Sequence, residues 1–558
     1  MTFYARFLSK KATPQSHRAD PKQEQNHAGG FSFVLDDWQR LDRFLILGSE
    51  GGTYYVSERT LSLDNARCIE RCLAADGARV VRRIVEISDS GRAPKNDPAI
   101  FALALAAASD SLDVRKAALA ALTLVCRTGT HLFQFAESVQ HFRGWGRALR
   151  SGIARWYNDK AEDALAYQVV KYQQRNGWSH RDLMRLSHPD PKHAALYRWV
   201  VGAQAEARQV KRRDRMVQYA AVPHLPKLVA GYEELKRADT LQEVVRLIRE
   251  HGFTHEMIPS AFKDSIEVWA ALIMRMPLTA LVRNLAKLTS VGLIAPNSWA
   301  TALVEERLAS RDALRKARVH PLALLLALVT YKRGRGVRGG LEWTPERRIV
   351  DALDAAFYLA FDALEPTGKR VLLALDVSGS MDCGTIAGAP GVTPRIASAA
   401  MAMVSARTER EWHAVGFSSG AAGEWSPKGH GRNGWGSNSS LVPLSISPRQ
   451  RLDDVVGAIR RIPMGGTDCA LPMLYAAARG LAVDAFCVFT DNETWAGSIH
   501  PHQALEQYRR QTGIAAKLVV VGMTATKFSI ANPDDAGMLD VVGFDTAAPA
   551  VMADFIRA

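Results

Sequence analysis

The 558-residue sequence contains no apolar run long enough to cross a bilayer. Its apolar runs, such as Pro321 to Val329, reach only about half of the roughly 20 residues a spanning helix needs. The opening MTFYARFLSKKATPQSHRADPKQEQNHAGG has no continuous apolar stretch and no small-residue cleavage site. No secretory signal is visible, and residues 1–30 read as a flexible polar arm. Cysteine is scarce: six residues (68, 72, 126, 383, 469, 487) are scattered along a long chain, which argues for free thiols in a reducing compartment, the cytoplasm. Cys68 and Cys72 stand at helical spacing with no second Cys or His pair at zinc-site spacing near them in the chain, so they read as packed core thiols. The GxxxxGK[ST] phosphate loop is also absent. Hydrolytic chemistry of that kind is therefore not expected.

What is present is an ordinary globular composition, 47% hydrophobic and 23% charged, in a chain too long for one core. At least two domains follow. The formal net charge of +14 is unevenly placed. Residues 371–558 hold 15 Lys and Arg against 17 Asp and Glu, whereas residues 1–370 hold 56 against 40. The basic surplus of the first two thirds suits contact with a polyanion, although solvated helical surfaces are often basic too.

From residue 31 to 365 the chain reads as amphipathic helices of about 10–16 residues with short turns between them. FALALAAASDSLDVRKAALAALTLVCRTG reads as helix, Ser-Asp-Ser turn, second helix, then Gly129 as a stop. In TLQEVVRLIREHG, Thr240 and Glu243 form a capping box and Gly252 ends the helix. Each such helix has one apolar stripe that only a neighbour can cover, so helix pairs are expected to stack as irregular HEAT-like repeats. After Pro366-Thr367-Gly368 the grammar changes. VLLALDVS, EWHAVGFSS, AFCVFTDNE and KLVVVGM read as buried strands that alternate with helices, which predicts a parallel sheet over residues 366–558. Ligands of such sheets bind at the carboxyl ends of the strands.

Asp376, Ser378 and Ser380 lie at one such end, Thr467 in MGGTDCA on a loop, and Asp491 in VFTDNE at another strand end. Two carboxylates and three hydroxyls without Cys or His suit Mg²⁺ or Mn²⁺ rather than Zn²⁺. The five positions resemble the metal-ion-dependent adhesion site of von Willebrand factor A domains. In that family a sixth coordination position is left to water or to a partner's carboxylate, which implies docking rather than reaction. A nuclease metal pair on Asp376, Asp491 and Glu493 is the competing reading, weakened by the hydroxyls that dilute the charge two cations need.

Residues 144–191 interleave aromatics with cations. Ser179 and Asp182 form a capping box, which puts His180 and Arg181 in the first turn of a helix, where amides and dipole favour a phosphate. Arg185 follows one turn on and His188 near the end; Lys171 and Arg175 are one turn apart on the preceding helix, with Trp178 at the junction. A plain solvated helix pair fits the same residues. KYQQRNGWSHRDLMRLSHP, together with RFLILGSEGGTYY, MPLTALVRNLAKL and HPLALLLALVTYKRGRGVRG, resembles the Ro autoantigen family, and EPTGKRVLLALDVSGSM matches that family's junction to its A-type domain. The resemblance implies an all-α HEAT-like ring, the TROVE module, followed by an α/β Rossmann-like von Willebrand factor A domain. It also implies a monomeric, noncatalytic cytoplasmic ribonucleoprotein component without membrane contact. Such a protein would bind small noncoding Y RNA on a basic outer surface and single-stranded 3′ ends of misfolded RNA in the ring, in RNA quality control or stress-related processing, with a 3′-to-5′ exoribonuclease as a further partner. By motif position Lys171, Arg175 and His180 resemble the family's RNA-contacting residues, and helix geometry adds Arg181, Arg185 and His188. Arg115 and Lys116, then Arg333, Arg335 and Arg338, are weaker candidates that surface solubility also explains, and KRRDR at 211–215 is equally ambiguous. The composition suggests a bacterial member. The polar arm and the Gly/Ser/Trp-rich loop 418–441 depart from the animal pattern.

Overall fold

A computed structural model describes residues 12–202, 225–337, 339–361, 364–419, 425–427, 439–462 and 465–558. Arg338, the 211–215 run and most of the 418–441 loop lie outside the described residues. The described strands are β1 (Gln23–Gln25), β2 (Phe31–Val34), β3 (Gln174–Arg175), β4 (Trp178–Ser179), β5 (Arg370–Asp376), β6 (Glu411–Ser419), β7 (Ser439–Pro443), β8 (Ala485–Thr490), β9 (Lys517–Gly522), β10 (Phe528–Ser529) and β11 (Met538–Val542). Helices fill most of the chain up to Leu359, and an α/β unit follows.

The helical grammar holds where local chemistry decides it. Thr240 and Glu243 form the expected capping box on Leu241–His251, and Gly252 closes that helix in the left-handed region. Asp97–Ala108 is buried on nearly every face, from Pro98 and Ile100 to Leu103 and Ala107, because Glu58–Ser90 and Gly129–Phe142 pack on its two sides. Two local expectations change. Gly129 opens a helix rather than ending one: Thr128 caps Gly129–Phe142 by accepting from the His131 amide. A Cβ at Gly129 would sit 2.7 Å from His180 Nε2, so the glycine serves a close helix approach. Glu58–Ser90 spans 33 residues, well beyond the expected length, with a non-helical break at Asp76.

The sheet of the α/β unit runs β11-β9-β8-β5-β6-β7, parallel throughout except for β7, which pairs antiparallel with β6. The four expected strands form its centre. β7 and β11 at the two edges are additions, as is the last helix, Ala548–Arg557.

The described part of the expected flexible arm, residues 12–30, is docked instead. β1 pairs with β2, and β2 with β10, in a three-stranded sheet joined to the α/β unit. Gln15, Gln23 and Asn26 are buried polar residues, which a free arm would not contain. Each finds partners far along the chain: Gln23 meets His500, Asn26 donates to the Thr494 carbonyl, and Gln15 bridges Asp468 and Ile499. Buried polar groups persist only when satisfied in this way.

The α/β unit meets both ends of the helical array. From the first helices, Arg43 pairs with Asp540 at 2.5 Å and Arg92 makes a bidentate pair with Asp545. From the last, Asp354 accepts the Leu452 amide and Lys332 pairs with Asp453. The array's own ends touch where Arg318 meets Asp89 and His320 meets the Arg92 carbonyl. Arg43 is 1% exposed and also donates to the Thr526 and Phe528 carbonyls. Removing one member of a buried pair leaves an uncompensated charge, so Arg43→Met should cost about 3–5 kcal/mol, read in urea melts. The double variant Arg43→Met/Asp540→Leu should recover much of that. A loss under about 1 kcal/mol in the single variant would show that this pair does not hold the modules together.

Candidate cation site and nucleic-acid interface

β5 and β8 are neighbours in parallel register, with Leu375 opposite Phe489, so Asp376 at the end of one and Asp491 just past the other meet at the carboxyl edge of the sheet. Asp376 accepts the Ser378 amide at 2.9 Å and the Thr490 hydroxyl at 2.8 Å, which fixes its carboxylate. Ser378 and Ser380 hydroxyls lie 3.2 Å apart. The Gly379 amide donates to the Gly465 carbonyl, tying the serine loop to the loop of Thr467, and the Thr467 carbonyl accepts from the amides of Trp495 and Ala496. The three sequence-separated segments are thus brought together as expected.

All five side chains are buried. Burial is the main cause raising both acids: it lifts Asp491 to about 8, the Asp376 and Glu493 charges contributing, and lifts Asp376 against the lowering effect of its Ser378 and Thr490 hydrogen bonds. The Thr467 hydroxyl oxygen is buried without a hydrogen-bond partner. Two carboxylates held out of water at a cost and an orphaned hydroxyl beside them are what a hard cation would relieve. The residues therefore fit a divalent ion of the Mg²⁺ class. Glu493 does not join them: its carboxylate accepts from the His27 amide at 2.8 Å and meets His27 Nδ1 at 2.7 Å. Among the described residues no group of three or more His, Cys, Asp or Glu is placed to hold a metal.

The basic segment is built differently from its reading. Its first helix ends at Lys171, and Arg175 sits in the β3–β4 hairpin, turned by Asn176 (φ 51°) and Gly177 (φ 74°). Asn-Gly between two short runs is the type I′ hairpin signal, and it stands in RNGW. Ser179 and Asp182 form the capping box, and Arg181, Arg185 and His188 are exposed on or just past His180–Ser187. Lys171 is half-buried, its amine 3.1 Å from the Tyr167 hydroxyl and 3.5 Å from Glu256. Lys116 is exposed, but Arg115 spends its guanidinium on the Ser109 and Asp110 carbonyls.

His180 is corrected outright. It is 2% exposed, bonds the Tyr157 hydroxyl at 2.9 Å and lies between Phe133 and Trp156. Burial drives its pKa down to about 3, so it is a neutral core residue and not a surface contact. The cationic surface also reaches further than expected: exposed Arg147, Arg150 and Arg155 ride on Arg147–Asn158, the helix packed against His180–Ser187. Trp145 and Trp178, both half-buried with ring centroids 5.3 Å apart, lie beside them.

Comparison with known proteins follows the same division. The TROVE domain family model matches residues 24–330, and the Ro60 vWA domain model matches 370–556. The chain belongs to the Ro family. A relative from Deinococcus radiodurans, named RNA-binding protein RO60, is 41% identical across 98% of this chain and 97% of its own length. One of the same name from Caenorhabditis elegans is 34% identical across 98% and 92%. The crystal structure of the Deinococcus radiodurans Ro protein, RSR, is similar with a TM-score of 0.66 at 40% identity, over 93% of this chain and 99% of that one. Among the described residues no helix is long and apolar enough to cross a membrane.

The raised acids give a pH test. With no cation, the folded Asp491 carboxyl holds its proton up to about 8, while the unfolded chain releases it near 3.8. The folded state therefore binds more protons between those values, and stability should fall with rising pH there, by up to about 1.4 kcal/mol per unit. Calorimetric melts in EDTA from pH 5.5 to 8 should show this fall. Mg²⁺ or Asp491→Asn should flatten it; superimposable profiles would remove the buried acid from the account.

Proposed function

We propose that the chain is a noncatalytic RNA-binding scaffold whose helical module grips RNA and whose A-type domain docks a second protein through a divalent cation. The observation that carries the first half is the exposed group Arg175, Arg181, Arg185 and His188 beside Trp178 and Trp145, on a module with the whole basic surplus of the chain. Guanidinium groups contact phosphates and stack on bases, and half-open indoles offer a platform to unpaired bases. The names of the two relatives support the same reading. Within it, the RNA is a small noncoding Y RNA on this outer surface, with single-stranded 3′ ends of misfolded RNA as a second class, in RNA quality control.

The second half rests on the donor set Asp376, Ser378, Ser380, Thr467 and Asp491. Mg²⁺ or Mn²⁺ held there would turn an acidic pocket into one that accepts a carboxylate. A 3′-to-5′ exoribonuclease is the partner we expect, with the chain acting as a cytoplasmic monomer.

Lys and Arg that displace condensed counterions leave a salt signature. Changing Arg175, Arg181 and Arg185 together to Ser should weaken structured RNA and lower the slope of log affinity against log salt by about 2, roughly 0.7 per lost single-strand contact. Because these side chains are exposed, the melting midpoint should hardly move. His180→Ser should instead lower the melting midpoint and keep the salt slope. An unchanged slope in the triple variant would move the RNA surface elsewhere.

A further inference from the structure

The helix Pro321–Arg333, PLALLLALVTYKR, is apolar almost all the way round, and such a helix needs cover on every side. Leu324, Leu325 and Leu328 are buried, but Ala323, Leu326 and Ala327 are only half-buried. The face these share with Leu322 and Thr330 looks across a gap at Val282, Leu285 and Ala286 of Leu278–Ser290. Alanines on both helices keep the gap open, and the A-type domain lines it with Ala387, Gly388, Ala389 and Pro390, nothing larger than a proline ring. The result is a cavity of about 580 Å³, within the range of roughly 300–1,000 Å³ that small-molecule sites occupy.

Its walls come from distant parts of the chain and are held in place. Pro94 and Lys95, just before Asp97–Ala108, complete the lining. Lys95 bonds both Glu50 and the Gly388 carbonyl. The turn at Gly51 and Gly52, with φ of 82° and 59°, rests on the same A-domain segment, so closely that a Cβ at Gly51 would lie 2.6 Å from Thr385 Oγ1. Early helices, late helices and the A-type domain therefore meet around one chamber.

The chemistry of the walls selects an occupant. Among the described residues no Asp or Glu lines the cavity, whereas two cations do, Lys95 and Arg283. Lys95 is already committed. Arg283 is exposed and pairs with no carboxylate among the described residues; Val337, 42% exposed, is the other open group of the lining, so the mouth lies beside these two. A nucleobase would need an open aromatic face to stack on. The aromatic of the lining, Tyr331, is 2% exposed and stacked on Trp343, and its hydroxyl is held by Thr289 and the Glu346 amide. A peptide would carry amides and carbonyls into aliphatic surroundings where the Thr330 hydroxyl is almost all that could meet them, and unmet backbone groups are costly. A hydrocarbon chain carries neither, and one carboxylate at its end matches the guanidinium fork of Arg283.

We propose that this chamber binds one straight-chain carboxylate, with its alkyl chain between Leu278–Ser290 and Pro321–Arg333 and its head group on Arg283, so that the ligand ties early and late helices to the A-type domain. The proposal depends on neither the cation site nor the RNA surface.

The test uses the full chain and ¹⁴C-dodecanoate in equilibrium dialysis. The parent should bind one dodecanoate, and competition by the hexanoate-to-dodecanoate series should strengthen about two- to fourfold per added methylene. Dodecylamine, with the wrong charge, and uridine monophosphate should not compete. Ala327→Phe, which fills the chamber, should abolish binding with the melting midpoint held or raised; Ala323→Leu, a smaller plug, should weaken binding and keeps the result readable if the phenylalanine strains the helix pair. Arg283→Gln should weaken dodecanoate about tenfold, the usual loss of a charge-assisted contact, and leave dodecanol unchanged. No saturable uptake by the parent, or full uptake by both plugged variants, overturns the site. Full affinity in Arg283→Gln overturns the head-group assignment, and competition by uridine monophosphate gives the chamber to a nucleotide instead. Flotation with phosphatidylglycerol vesicles separates a free chain from a membrane-borne one: the protein should stay in the soluble fraction, and co-flotation overturns the free acid as ligand.

Discussion

The buried Arg43 guanidinium is the joint of the molecule. A stack of amphipathic helices has two open ends, each with an apolar stripe that no further repeat covers, and the first end here is closed by the edge of a sheet. An arginine taken 99% out of water needs acceptors, and its two terminal amines find them in Asp540, Thr526 and Phe528 on the far side of the joint, while Nε is left without a hydrogen-bond partner. Those three acceptors set where the helical module sits. Once Arg43 and Arg92 are placed, the Gly51-Gly52 turn has nowhere to rest but the 384–388 segment, and the described arm follows the same edge through β2 and β10.

That placement explains why the acid-and-hydroxyl pocket is enclosed by elements outside its own domain. Gln15 is the clearest case. Its amide donates to Asp468, beside Thr467, and to the Ile499 carbonyl, and its oxygen accepts from Thr494 and the Gly497 amide. One side chain from the N-terminal segment thus ties the Thr467 loop to the segment after Asp491. From the other side His27 clamps Glu493, two residues past Asp491, through its amide and its ring. A site left with two acids and three hydroxyls fits one cation, whereas three acids would begin to fit two.

The parts that could be read from sequence are those where neighbours along the chain decide the outcome. Asp376 and Asp491 were legible because each closes a buried strand, and adjacent parallel strands must end side by side. Capping boxes at Thr240–Glu243 and Ser179–Asp182 were legible because each is a contact across three residues. The failures are contacts across hundreds. Helical spacing shows that His180 and Arg181 share a turn, but not that Phe133, Trp156 and Tyr157 cover one of them. Gln15 and Asn26 look like solvated arm residues until partners some 450 positions away are known. Arg175 is a different kind of miss, since the Asn176-Gly177 signal was local and outweighed by helical periodicity on either side.

Burying His180 has a consequence for how the basic surface works. A histidine in the first turn of a helix would compete with arginine for an incoming phosphate and would make binding depend on pH near neutrality. With the ring neutral and packed under the helix, the cation that turn presents is Arg181, beside the Asp182 carboxylate of the capping box. The buried ring also fills the junction between Gly129–Phe142, Arg147–Asn158 and its own helix, meeting Phe133, Trp156 and Tyr157, residues from the first two of them. The exposed arginines are therefore carried on a rigid three-helix seat. A fixed array of guanidinium groups loses less conformational freedom on meeting an RNA than a flexible one, which favours recognition by shape over simple attraction.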